Sequence, residues 1–324
     1  MTAQTLNSLG PEDLAAWRER PNDEQRRLNR AVLDRHVVGW DELVAENALR
    51  VRRQLPLIFL HVPKTGGTTL TALITRTYPA GRVTHVNAGG LYERPEALAS
   101  ITGRTSVRER PSQQRFVVMG HHRLNDVLYQ LPCSPFAHVT MLRDPVRRVL
   151  SHYNHMLEDP DHKAHQKAAA LSLEEYVSGR ANADVQDGQV QRLSGCSRRR
   201  DLKKVADKRE LLELAQANLE QRFSFFGLTE RFDAFLILCQ RLLGWPEIFY
   251  VRKNVRRSGA AAPDPVSPEA LAVVAEYNRL DAELHARALE LFDARCAALG
   301  VDDAAVRRFA EANARFNELV AQQY

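Results

Sequence analysis

A chain of 324 residues, 44% of them hydrophobic, can bury a sizeable core and fits one large α/β domain, with or without a helical appendage. No apolar run approaches the roughly 18 residues of a membrane span, and Met1 to Gly10 lack a charged region followed by an apolar stretch, so a cytoplasmic protein is expected. Cys133, Cys196, Cys239 and Cys296 stand far apart without zinc-ligand spacing, which argues against a disulfide framework or structural metal, while a net charge of +5 and a pI near 9.1 favour anionic ligands, nucleic acid among them.

Residues 1–54 are rich in Arg, Glu and Asp with apolar positions at helical spacing, as at Leu28, Val32 and Leu33, so short helices are predicted there. His36 and Trp40 in this stretch read as a surface imidazole and a packed aromatic. The unbroken apolar run Leu57, Ile58, Phe59, Leu60 predicts a buried parallel strand. It is followed by His61, Val62, Pro63 and then Lys64, Thr65, Gly66, Gly67, Thr68, Thr69, after which Leu70, Leu73 and Ile74 mark the buried face of a helix that Pro79 and Gly81 end. Such a turn sets backbone N–H groups, a lysine and threonine hydroxyls at the positive end of a helix dipole, a cradle for phosphate. It is not a Walker A loop, whose lysine follows the glycines; here Lys64 precedes Gly66 and Gly67.

Residues 82–115 are polar and irregular and read as loops with a short helix. A second strand, Phe116 to Met119, delivers Gly120, His121 and His122 at its end. In a parallel sheet the carboxyl ends of the strands form one rim, so these histidines fall on the same edge as Lys64. A third strand, Ala137 to Leu142, ends in Arg143, Asp144 and Pro145, with Pro145 suited to the first turn of a helix and Ser151 two turns on.

These motifs carry a resemblance. The strand followed by PKTGGTT resembles the 5′-phosphosulfate loop of sulfotransferases that use 3′-phosphoadenosine 5′-phosphosulfate (PAPS), in particular the heparan sulfate and uronyl 2-O-sulfotransferases, and a bacterial-type member without a membrane anchor. Arg143, Asp144, Pro145, Arg148, Ser151 and Tyr153 match the family's 3′-phosphate motif, RDPxxRxxSxY. The resemblance implies that Arg143 and Ser151 bind the 3′-phosphate, that Lys64, Thr65, Gly66, Gly67, Thr68 and Thr69 hold the 5′-phosphosulfate, and that His121, with His122 as the alternative, is the catalytic base. Family members often carry a further histidine two positions earlier, where this chain has Met119.

Ser172 and Glu175 form a capping-box pattern. Val185 to Cys196 resembles the family's acceptor-side region. Ser197 to Arg209 carries seven basic and two acidic residues, a candidate track for an acidic glycan or a solvated helix start. Leu211 to Leu219 reads as a helix, Phe223 to Leu228 as a strand, Thr229 to Leu243 as an amphipathic helix and Ile248 to Val251 as a last short strand. The helix, strand and GLTERFD succession extends the resemblance to about residues 55–300. Lys253 and Arg256 are, by resemblance, further cofactor contacts on a basic loop, and from Pro268 packing helices are predicted around Leu280, Leu284 and Leu291.

The expected architecture is an α/β, P-loop-like three-layer sandwich with a central parallel sheet: an N-terminal helical extension over 1–54, a PAPS-binding core over 55–266 and C-terminal helices over 267–324. The expected activity is transfer of a sulfuryl group from PAPS, released as 3′-phosphoadenosine 5′-phosphate (PAP), to an acceptor hydroxyl, with no metal. The acceptor implied is carbohydrate, an anionic glycan or glycolipid. A P-loop-like nucleotide kinase and a non-catalytic binder of nucleotide or nucleic acid are the alternatives; the position of Lys64 speaks against the first and the lack of interleaved aromatics against the second.

Overall fold

The computed structural model describes residues 11–49, 55–79, 82–86, 116–130, 135–161, 164–196, 207–246, 248–251 and 266–322. In chain order the described elements are helices α1 Pro11–Glu19, α2 Asn22–His36 and α3 Trp40–Ala48, strand β1 Leu57–Leu60, helix α4 Gly67–Thr77, and strands β2 Val83–Val86 and β3 Val117–Gly120. Then come β4 Ala137–Leu142, helices α5 Pro145–Glu158, α6 His165–Ala169, α7 Leu173–Ser178, α8 Gly188–Ser194 and α9 Lys208–Gln221, strand β5 Phe225–Leu228, and helices α10 Phe232–Leu243, α11 Pro268–Glu276, α12 Arg279–Ala298 and α13 Asp303–Gln322. Among these residues no helix is long and apolar enough to cross a membrane.

The strands form one sheet in the order β2-β3-β1-β4-β5, every pair parallel. Helices cover the sheet, so β1, β4 and β5 are buried at every residue, which is why they read as unbroken apolar runs. β2 is the exception. Its partly exposed residues Val83, Thr84 and His85 make an edge strand too short and polar to announce itself in a stretch read as irregular. Ile248 to Val251, predicted as a strand, has no regular structure; Tyr250 N–H instead donates to Asn313 Oδ1 at 2.8 Å, which turns the segment toward α13.

Local signals begin the helices. Asp144 caps α5 by accepting Arg147 N–H at 2.8 Å, with Pro145 in the first turn. Ser172 and Glu175 form both arms of the capping box of α7. The main apolar cluster joins the sheet to α10 and takes in Trp17, Leu33 and Leu43 from the first three helices; a second packs α5 against α6, α7 and α11. The buried face of α2 is largely polar: Asn22, Gln25 and Asn29 precede Leu33 on it. Asn29 Nδ2 donates to Leu124 and Asp126 carbonyls at 2.8 and 2.9 Å, so this face holds the chain just beyond the β3 rim.

Candidate active site

Register brings two histidines together at the rim. Leu60 of β1 lies opposite Gly120 of β3, so the next residues, His61 and His121, leave the sheet side by side. Gly120 has φ 148°, and a Cβ there would sit 1.7 Å from Val86 O, so only glycine lets His121 reach its place. The two imidazoles stack with centroids 4.4 Å apart. His121 Nδ1 donates to the His61 carbonyl at 3.0 Å; because a carbonyl oxygen only accepts, Nδ1 carries the hydrogen and Nε2 keeps the lone pair. Burial lowers the His121 pKa below 6.5, opposed by this hydrogen bond and reinforced by the Arg192 charge, and burial holds His61 at about 3. Both rings are therefore neutral near pH 7.

His122 turns the other way. It has no exposed surface, its Nε2 meets Tyr129 Oη at 3.1 Å, and Tyr129 Oη meets His138 Nε2 at 3.0 Å. His138 Nδ1 must donate to the Arg222 carbonyl, so its Nε2 accepts from Tyr129 and Tyr129 accepts from His122. The chain of bonds runs into the interior, away from the rim.

Between β1 and α4 the loop takes two left-handed residues, Lys64 with φ 69° and Gly66 with φ 81°. Gly66 is the N-cap of α4 and supplies no side-chain cap, and the first turn of α4 has no acidic residue. No N-cap side chain and no carboxylate of its own first turn therefore offsets the dipole. Gly67 sits beneath His61: a Cβ on it would lie 1.8 Å from His61 Nε2. The Thr65 side chain turns away from the cleft. It is fully buried and its hydroxyl donates to Val62 O at 2.8 Å, closing the turn rather than lining the cleft.

Across the rim, at the end of β4, Arg143 Nη1 donates to the Lys64 carbonyl at 3.0 Å. Burial first, then the Arg143 charge, lower the Lys64 pKa, with Glu158 opposing. Helix α5 turns Ser151, His152, His155 and Met156 to the same space, and burial holds His152 at about 4. These residues, with His61, Lys64, Gly66, Gly67, Thr68, Thr69, His121, Arg143, Asn182, Thr229, Phe232 and Tyr250, line one cleft of about 650 Å³. Phe232 and Tyr250 meet edge to face at 5.1 Å and form its aromatic wall.

Behind the cleft, Arg192 Nε and Nη2 each meet an Asp184 carboxylate oxygen at 2.9 Å, while its Nη1 reaches the His121 and His122 carbonyls at 3.4 Å. Burial alone would raise the Asp184 pKa; the Arg192 charge and hydrogen bonds prevail and hold it well below the usual carboxylate range.

Eight of the sequence-predicted residues, Lys64, Gly66, Gly67, Thr68, Thr69, His121, Arg143 and Ser151, share this cleft. Lys253 and Arg256 lie outside the described residues, as does 197–206 of the basic segment; Arg209, at its end, pairs with Glu283. Val185 to Cys196 contributes nothing to the lining, being turned inward as α8 and its cap. Sequence reasoning missed His61, although the strand-end rule that found His121 applies to it equally. His152, His155 and Asn182 carried no such signal.

Residues 43–323 match the galactose-3-O-sulfotransferase family. The chain belongs to that family. The match supports the sulfotransferase resemblance of the loop motifs in this galactose-3-O-sulfotransferase family member; it does not show the 2-O branch. Mouse sulfotransferase SULT7A1 complexed with PAP aligns over 76% of this chain and 94% of its own, at 13% identity and a TM-score of 0.27, a likeness too slight to bear on the site. No curated protein matches the chain.

Proposed function

We propose that this cleft binds PAPS and transfers its sulfuryl group to a sugar hydroxyl, with His121 as general base. The observation that carries the reading is the convergence of Lys64, the first turn of α4, Arg143, Ser151 and the lone-pair nitrogen of His121 on one space of nucleotide size. The residues fit such a bis-anion: Lys64 and Arg143 supply positive charge, the first turn of α4 carries no acidic residue, and Arg143 Nε is buried without a partner.

PAPS, when bound, supplies an electrophilic sulfuryl group on a phosphate leaving group. Lys64 and the N-terminus of α4 meet the negative charge that develops there, Arg143 and Ser151 hold the 3′-phosphate, and His121 Nε2 takes the acceptor proton. Stacking on His61 and the bond to its carbonyl keep that nitrogen aimed, and burial keeps it unprotonated. The family name points to the 3-hydroxyl of galactose. The uncharged His152 and Asn182 in the lining suit a neutral sugar, which this reading takes in preference to the anionic glycan implied by the 2-O resemblance.

Incubation with ³⁵S-labelled PAPS and a galactose-terminated oligosaccharide, beside a uronic acid polymer, tests both parts. Label on the galactoside is expected. Label on the uronate alone would overturn the acceptor, and label on neither, with PAP binding no tighter than 5′-AMP, would overturn the site.

A further inference from the structure

We infer that Gln189 is a positioning residue for the 3′-phosphate arm: its buried carboxamide fixes the main chain of Arg143 and so aims the guanidinium. The inference rests on the reading of Arg143 as the 3′-phosphate ligand.

At Leu142, opposite Leu228, β4 makes its last pairing. Arg143 is the next residue, and its polar main-chain groups have left the ladder while still half-buried. Gln189 takes both. Its Oε1 accepts Arg143 N–H at 3.0 Å and its Nε2 donates to Arg143 O at 2.9 Å, so a planar amide substitutes for one more strand residue. Gln189 itself has no exposed surface and does not line the cleft.

The carboxamide is held in turn. Asp281, at the start of α12, accepts Gln189 N–H at 3.1 Å and Val190 N–H at 2.8 Å, which caps α8. Asp281 pairs with Arg148 at 3.2 Å, both side chains being fully buried. Arg148 belongs to the same motif as Arg143, yet it stands outside the cleft. The motif thus closes a ring from Arg143 along α5 to Arg148, then through Asp281 and Gln189 back to Arg143. At the far end the guanidinium is fixed by the Lys64 carbonyl, so main chain and side chain of Arg143 are each restrained once.

Gln189→Met keeps length and volume but removes both bonds. PAP and 5′-AMP, which differ by the 3′-phosphate, are titrated into wild-type and variant protein. The expected result is an approximately tenfold loss of PAP affinity, with 5′-AMP affinity held within about twofold. Gln189→Glu, which can still accept from Arg143 N–H but turns an oxygen toward Arg143 O, is expected to lose PAP affinity at least as far, and serves if the first variant does not fold. An equal loss for both nucleotides would make Gln189 a general packing residue, and no loss for either would remove its role; both outcomes overturn the inference. A wild-type protein that binds both equally would overturn the 3′-phosphate reading itself, and the inference with it.

Discussion

His121 stacks on His61 at 4.4 Å and donates from Nδ1 to the His61 carbonyl, so the two residues that follow β3 and β1 set the tautomer of the candidate base. The free Nε2 and the lowered pKa give a direct expectation for pH dependence. A base must be unprotonated to act, so activity should rise with pH along a limb whose midpoint lies below 6.5. His121→Ala should lose about 10² to 10⁴ in turnover while PAP affinity stays near wild type. His122→Ala, which opens the bond to Tyr129, should instead lower the melting temperature and retain turnover. A limb centred above 7, or full activity in His121→Ala, would move the base elsewhere.

Lys64 should act on the transition state. Its truncation to alanine is expected to lower kcat by about 10² or more, in line with the roughly 3 kcal/mol of a preorganised charge. A rise in KM at constant kcat would show uniform binding instead. Because burial and Arg143 depress its pKa, the alkaline loss of activity should begin below the range of an ordinary lysine.

Gly67→Ala tests the contact between the loop before α4 and His61, on which the candidate base stacks. The added Cβ would fall 1.8 Å from His61 Nε2, so the ring must move and take the stacked His121 with it. Turnover should drop about 10²-fold, the scale of an ångström-sized misplacement. Overpacking should also cost about 1–3 kcal/mol in denaturant unfolding. Unchanged turnover would separate His61 from the mechanism.

Asp187 predicts a pH-dependent stability. Burial, then the Asp281 charge, raise its pKa from 3.8 to about 6. Its folded value exceeds the unfolded one, so the stability it contributes is complete below about pH 4 and is lost as pH rises through about 6. Asp187→Asn retains an oxygen for Leu280 and Asp281 N–H and suits the left-handed backbone at φ 46°. Thermal unfolding should show the variant more stable than wild type at pH 7.5, by at most about 3 kcal/mol, and no gain at pH 4. The reverse order would mean that the charge itself holds α12.

Much of the site was legible because its signals are local. The apolar run of β1, the PKTGGTT turn, the strand-end histidine and the RDP helix start each depend on residues a few positions apart, where periodicity, turn chemistry and capping act. β1 and β4 match their predicted bounds for this reason. Thr65 shows the limit of such signals: a threonine whose hydroxyl faces a ligand and one whose hydroxyl closes the turn look alike until that hydroxyl finds Val62.

From its residues alone the chain declares a parallel α/β sheet, two candidate anion-binding turns and a histidine between them, since these are written in nearest-neighbour geometry. Tertiary structure decided which imidazole faces the cleft and which the interior, that His61 rests on Gly67, and that Arg143 is braced by Gln189, 46 positions away. Those facts arise from register and from helices docking across the sheet, where the energy depends on partners far apart in sequence that no local pattern specifies.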